Sequence, residues 1–183
     1  PKDRFYLYQS HWRPDLPMAH ILPHWNWPER VDSITPVHVY TSGDEAELYL
    51  NGKSLGRKSK TAGKDFRLVW EDVVYQPGEL KVISYKNGKE WATDVMKTTG
   101  NATQLKLSTD RNKIANNGSE YAFITVRILD KDGLTVPRSN PLLKFEIEGP
   151  GEIGASDVGD ATSCVPFISH ERDALIGLAL VSG

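Results

Sequence analysis

The residues best suited to chemistry are crowded into one quartet, His24-Trp25-Asn26-Trp27. In an extended chain Trp25 and Trp27 share one face while His24 and Asn26 share the other. Aromatic rings bury the apolar side of a pyranose, so the quartet, joined by Trp91, is a candidate carbohydrate-binding site. The rings would be stacking platforms, with His24 and Asn26 as hydrogen-bonding neighbours. The competing reading packs both tryptophans into a core or against a neighbouring helix, and it carries more weight because large aromatics supply much of the buried area of small domains. His20 and His24 stand four apart, but without a helix or a nearby carboxylate they form a weak metal pair.

No other grouping reads as a catalytic constellation. Glu45 and Glu47 sit two apart on an exposed strand face, and Glu71-Asp72 adjoins a turn, so both pairs read as solvated carboxylates. No serine lies in a nucleophile-elbow glycine pattern. Asp130-Lys131-Asp132-Gly133 superficially resembles a calcium loop but lacks the full ligand set and distant glutamate, so it reads as a turn. Cys164 is the only cysteine, which excludes an intrachain disulfide and a cysteine metal cluster. The expectation is a chain with no catalytic residues, no metal and no cofactor. Asn101-Ala102-Thr103 and Asn117-Gly118-Ser119 fit the glycosylation sequon, a pattern common by chance.

Charge names no partner. The 183 residues carry 22 cations against 24 anions, a net charge of −2, with no polybasic face for nucleic acid or anionic lipid. No apolar run approaches the roughly 18 residues of a membrane span, and nothing at the start reads as a signal peptide. The chain opens at Pro1 without methionine and closes on Ala179-Leu180-Val181-Ser182-Gly183, an apolar strand-like run. It reads as a piece of a longer protein.

The elements that must position these residues are mostly strands. Pro36 to Lys58 is organised as a meander: Val37, Val39 and Thr41 alternate with His38, Tyr40 and Ser42. After the turn Ser42-Gly43-Asp44, Ala46, Leu48 and Leu50 alternate with Glu47 and Tyr49. Asn51-Gly52 and Asn87-Gly88 tolerate the positive φ that type I′ hairpins demand. Phe66, Leu68 and Trp70 form a further alternating run, as do Leu80, Val82 and Ser84. Lys53, Arg57, Lys58, Lys60 and Lys64 make a cationic stretch that fits a solvated sheet edge. Ahead of the strands, Phe5, Tyr8, Gln9 and Trp12 recur at helical spacing over residues 1–12, opened by Pro1 and ended by Pro14 and Pro17. So short a helix needs something to pack on.

About seven strands between residues 18 and 98, with turns every eight to twelve residues, predict an immunoglobulin-like sandwich without the cysteine core of antibody domains. Thr98 to Ala102 is a polar joint. The pattern then restarts with Leu105 and Leu107, the turn Asn116-Asn117-Gly118, a strand over residues 121–129, another over 142–147 and a last one over 175–181. This second sandwich has about six strands and lacks room for the usual final one, so its last edge is expected to be exposed or paired with another molecule. The fold class is all-β: two tandem immunoglobulin-like antiparallel β-sandwiches preceded by a short N-terminal helix, divided as 1–17, 18–99 and 100–183.

Three stretches in this order, PKDRFYLYQSHW, PMAHILPHWNWPER and VHVYTSGDEAELYLNGKSLGRK, resemble the C-terminal region of bacterial glycoside hydrolase family 2 enzymes of the β-galactosidase type. ANNGSEYAFITVRILDKDG with FEIEGPGEIGASDVGDATS is similar to the immunoglobulin-like, adhesin-related module that often follows. The resemblance implies that residues 1–17 are the last helix of an upstream catalytic (β/α)8 barrel, which Phe5, Tyr8 and Trp12 would face. It implies that the retaining pair of glutamates, about 5 Å apart in such enzymes, lies in that barrel and not in this chain. It further implies a structural, bracing role and a periplasmic or secreted parent. The alternatives are a carbohydrate-binding module built on Trp25 and Trp27, or an adhesin-like spacer.

Overall fold

The computed structural model describes residues 2–61, 63–115 and 117–182. The helix-opening role expected of Pro1 and the first residue of the Asn116-Asn117-Gly118 turn lie outside them. The chain divides into two compact units, Pro1–Thr98 and Thr99–Gly183.

The first unit opens with α1 (Asp3–Trp12). The Arg13 N–H donates to Gln9 O at 3.0 Å, and Pro14, with no N–H to offer, stops the helix there. Two sheets follow. One has the order β1-β2-β5, from β1 (Ala19–Leu22), β2 (Val37–Thr41) and β5 (Leu68–Trp70). The other has the order β4-β3-β6-β7, from β3 (Glu45–Leu50), β4 (Lys53–Ser59), β6 (Glu79–Lys86) and β7 (Lys89–Lys97). All pairings are antiparallel. The alternation explains the packing: Val37 and Val39 turn inward from one sheet, Ala46, Leu48, Leu50, Leu80 and Val82 from the other. Ile21, Trp25, Leu68, Trp70, Val73 and Tyr75 complete a core between them. Both hairpin turns have the positive φ their sequences predict, +50° and +80° at Asn51 and Gly52, +51° and +75° at Asn87 and Gly88.

Three local expectations change. Ser42-Gly43-Asp44 does not close a hairpin, because β2 and β3 belong to different sheets. The Asp44 N–H donates to Tyr85 O at 2.8 Å, so the turn carries the chain across the sandwich onto β6. Phe66 lies ahead of β5 and is exposed, its ring edge-on to His11. Lys60 leaves the solvated edge formed by Lys53, Arg57 and Lys58 on β4. Its Nζ donates to Thr41 O at 2.7 Å, and burial holds its pKa below the usual lysine value.

The second unit contains β8 (Gln104–Thr109), β9 (Phe123–Leu129), β10 (Leu142–Lys144), β11 (Ala155–Asp157), β12 (Glu171–Asp173) and β13 (Leu178–Ser182). One sheet runs β11-β13-β9-β8 and a small one pairs β10 with β12. Val126, Ile128, Leu143, Ala174 and Ala179 are its buried cluster. Strands β11 and β12 are not among those expected from the sequence pattern. The strand expected over 175–181 begins only at Leu178, because Ile176 and Gly177 turn with positive φ.

Candidate functional site

The quartet is not a strand. β1 ends at Leu22, ahead of Pro23, so the alternation that would have set Trp25 beside Trp27 is broken. Trp25 goes inward and is only 1% exposed. Its indole N–H donates to Gln76 O at 3.0 Å, and its ring is tilted against Tyr75 with centroids 4.8 Å apart. Asn26 is buried beside it. Neither side chain is available to a sugar, and the stacking platform expected from Trp25 with Trp27 is not formed.

A hydrogen-bonded cluster holds this backbone. The Thr98 hydroxyl donates to Trp25 O at 2.8 Å and accepts from the Gly78 N–H at 3.1 Å. The Tyr75 hydroxyl accepts from the Trp27 N–H at 3.1 Å and lies 3.4 Å from Thr98 Oγ1. Trp27 is half-buried. Its indole N–H donates to His24 O at 2.7 Å, and the His24 ring stacks on it at 4.2 Å. His24, expected on the opposite face, therefore covers Trp27. Trp91 lies elsewhere, on β7; its indole N–H donates to Ser42 Oγ at 2.8 Å and Lys86 Nζ stands 4.8 Å over its ring. The five candidate residues are thus split between two polar clusters that fasten the sandwich.

His20 does not join His24 as a metal pair. Its Nε2 is 2.8 Å from Asp3 Oδ1, and its ring stacks on Tyr6 at 3.9 Å. These contacts clamp one side of α1 to β1, and Ser10 is buried on that side too. The stripe that was expected to need a surface faces away: Phe5, Tyr8 and Trp12 are 50, 49 and 70% exposed. Tyr8 and Trp12 stack on each other at 4.8 Å. Spacing revealed the stripe, but only the clamp reveals which side of the helix is bound.

Glu45, Glu47 and Asp130 are each engaged. Glu45 pairs with Arg57, and Glu47 accepts from Ser54 at 2.5 Å, which lowers its pKa. Asp130 Oδ2 accepts from the Gly100 N–H at 2.9 Å, and Oδ1 from those of Asp132 and Leu134 at 3.0 and 2.9 Å. Three backbone N–H donors thus engage the Asp130 carboxylate in the loop that resembled a calcium site, and they push its pKa down, Gly100 foremost. An open groove of about 580 Å³ lies beside Leu50, Asn51, Lys58, Trp70 and Glu71. Its aromatic wall is already used: the Trp70 indole N–H donates to Gly56 O at 3.2 Å, and Lys58 Nζ reaches Val69 O at 2.7 Å.

This arrangement defines a class: a tandem β-sandwich region whose polar clusters hold backbone and whose exposed aromatic ridge offers a surface. Known proteins agree. Residues 105–182 match the glycoside hydrolase family 2 C-terminal domain 5, and residues 32–92 match a domain of unknown function, DUF4982. The chain is 36% identical over 181 residues to β-galactosidase BoGH2A of Bacteroides ovatus, covering 99% of this chain but 21% of that protein. A family 2 glycosyl hydrolase from Bacteroides cellulosilyticus superposes with a TM-score of 0.91 at 32% identity, covering 99% of this chain and 27% of that one. A β-glycosidase from Bacteroides vulgatus gives 0.91 at 33% identity, over 100% and 23%. The chain belongs to glycoside hydrolase family 2, as a C-terminal region that spans about a fifth to a quarter of the length of such enzymes.

Proposed function

We propose that this region braces the catalytic barrel of a retaining β-glycosidase acting on β-galactosides or related β-glycosides, and that it turns over no glycoside by itself. The observation that carries the reading is the outward ridge of Phe5, Tyr8 and Trp12 on a helix clamped to the sandwich from its other side. A ridge of large aromatics is what a packed interface buries, and the relatives in which this region occurs are much longer chains. The barrel of the same polypeptide is the surface proposed for it. A parent working in the periplasm or outside the cell fits the resemblance, and fractionation of the source bacterium tests that placement.

The test is a pair of measurements on one substitution set. Phe5→Ala with Trp12→Ala is expected to leave the melting of chain 1–183 nearly unchanged, because both rings are exposed there. In the full parent enzyme the same pair is expected to lower the melting temperature and the yield of active protein. Equal, negligible effects in both backgrounds would remove the bracing role. Turnover of an aryl β-galactoside by chain 1–183 would overturn its non-catalytic assignment.

A further inference from the structure

The groove beside Trp70 has a shape that the fold fixes. Its walls come from β4 and β5, the edge strands of the two sheets of the first unit. The Trp70 indole N–H donates to Gly56 O at 3.2 Å and Lys58 Nζ to Val69 O at 2.7 Å. Two bonds thus cross from one sheet edge to the other and set the spacing of the walls. At one end the Asn51-Gly52 turn is tied down by its own side chain. Asn51 Oδ1 accepts from the Glu79 N–H at 2.8 Å, and Nδ2 donates to Pro77 O at 3.1 Å. The space they preform, about 580 Å³, lies within the roughly 300–1,000 Å³ of small-molecule sites.

Its lining is amphipathic. Leu55 and Val74 present apolar surface to it above the buried Leu50 and Val73. Around that floor stand Lys53 and Lys58 on β4, with Glu71, Asp72 and Gln76 beyond the end of β5. Arg57 and Lys97 of the same sheet as Lys53 are paired with Glu45 and Glu79. The side chains of Lys53, Asp72 and Gln76, by contrast, make no hydrogen bond or ion pair among the described residues. They leave donors and acceptors for a ligand.

The chemistry of the walls narrows what that ligand is. Two lysines face two carboxylates, so the groove has no charge of one sign with which to select a phosphate or a cation. A peptide added as a strand needs open backbone acceptors along the edge. Gly56 O and Val69 O already accept from Trp70 and Lys58, which blocks that mode. A neutral molecule with many hydroxyls and an apolar C–H face satisfies both the mixed donors and acceptors and the aliphatic floor. We infer that the groove between β4 and β5 binds an oligosaccharide, its hydroxyls held by Lys53, Asp72 and Gln76 and its C–H face laid on Leu55 and Val74. Trp70 is only 3% exposed, so the contact is hydrogen-bonded rather than stacked on its ring. The inference is independent of the bracing role.

The test is a titration of isotope-labelled chain 1–183 with lactose and with a β-1,4-linked galactotetraose, read by amide NMR shifts. Saturable shifts are expected at Lys53, Leu55, Asp72 and Val74, with half-saturation in the millimolar range. Lys53→Ala with Asp72→Ala removes two exposed side chains, so melting should be unchanged while binding weakens at least about tenfold, the loss of one or more hydrogen bonds to charged groups. Absence of saturable shifts with both sugars would overturn the inference, as would saturable shifts that survive the double substitution. Saturable shifts at these amides with a ten-residue strand-forming peptide, and none with the sugars, would overturn it by assigning the groove to a protein partner.

Discussion

The indole N–H of Trp91 donates to the hydroxyl of Ser42 at 2.8 Å, joining β7 to the turn that carries the chain from one sheet to the other. Ser42 is buried and uses every bond a hydroxyl has. It donates to Leu16 O at 2.6 Å and accepts from the Met18 N–H at 3.3 Å as well as from Trp91. One side chain thus fixes the linker after α1, the start of β1 and the far sheet. Ser42→Ala is expected to destabilise the first unit by about 1–3 kcal/mol, since it leaves buried donors and an acceptor unmet. Urea unfolding of Ser42→Ala, Trp91→Phe and the double variant checks this. The double variant should cost about 1 kcal/mol less than the sum of the singles, and strict additivity would show that the bond carries no weight.

Gly43 follows in the same turn, and its constraint is space. A Cβ there would come 2.5 Å from Tyr85 O and 3.3 Å from Thr41 Oγ1, and the first of these is backbone that cannot swing aside. Gly43→Ala is expected to lower stability by at least about 2 kcal/mol by pushing β6 away from the turn. Thermal melting of the variant measures it. An unchanged midpoint would mean that Tyr85 moves freely.

Much of this architecture was legible because it depends on short-range pattern. The alternation of Ala46, Leu48 and Leu50, the two Asn-Gly hairpins and the prolines after α1 act within a few residues, and each emerges as read. Sheet membership was not legible at Ser42-Gly43-Asp44, because a turn between strands looks the same whether it closes a hairpin or crosses a sandwich. The quartet failed for a similar reason. Strand geometry was extended past Leu22, whereas the real positions of Trp25 and Trp27 are set by Gln76, Tyr75 and Thr98, some 48 to 73 residues away. Strands β11 and β12 are three residues each, too short for periodicity to register.

Arg172 is the least expected member of the second unit's interior, a cation 3% exposed with no carboxylate among its hydrogen-bond partners in the described residues. Its Nε donates to Ser156 Oγ at 3.1 Å, and its Nη2 to Val165 O and Pro166 O at 3.2 and 2.8 Å. These neutral oxygens tie the 157–170 loop to β11 and β12. Arg172→Met should cost about 2–4 kcal/mol despite similar volume, because it abandons the buried Ser156 hydroxyl and the partly buried Val165 and Pro166 carbonyls. Arg172→Lys should recover only part of this, since one ammonium cannot match the planar fork. Denaturant titration of the second unit's transition checks the order; a lysine variant as stable as the parent would show that charge alone suffices.

Acid should act on the second unit through Asp130. In the folded chain its carboxylate accepts N–H bonds from Gly100, Asp132 and Leu134, and these donors hold its pKa below the ordinary carboxylate value. A group whose pKa is depressed by folding contributes stability that is fully present above its unfolded pKa, about 3.9 for aspartate, and is lost as pH falls through the lower folded value. The second unit is therefore expected to hold its stability from neutral pH to about 5 and to lose this contribution below about 4. Asp130→Asn, which keeps one acceptor oxygen but never ionises, should be less stable than the parent at pH 7 and should show a flatter acid limb. Unfolding midpoints of both proteins between pH 7 and pH 3 are the measurement. Parallel pH profiles would mean that Asp130 shapes the turn without contributing through its charge.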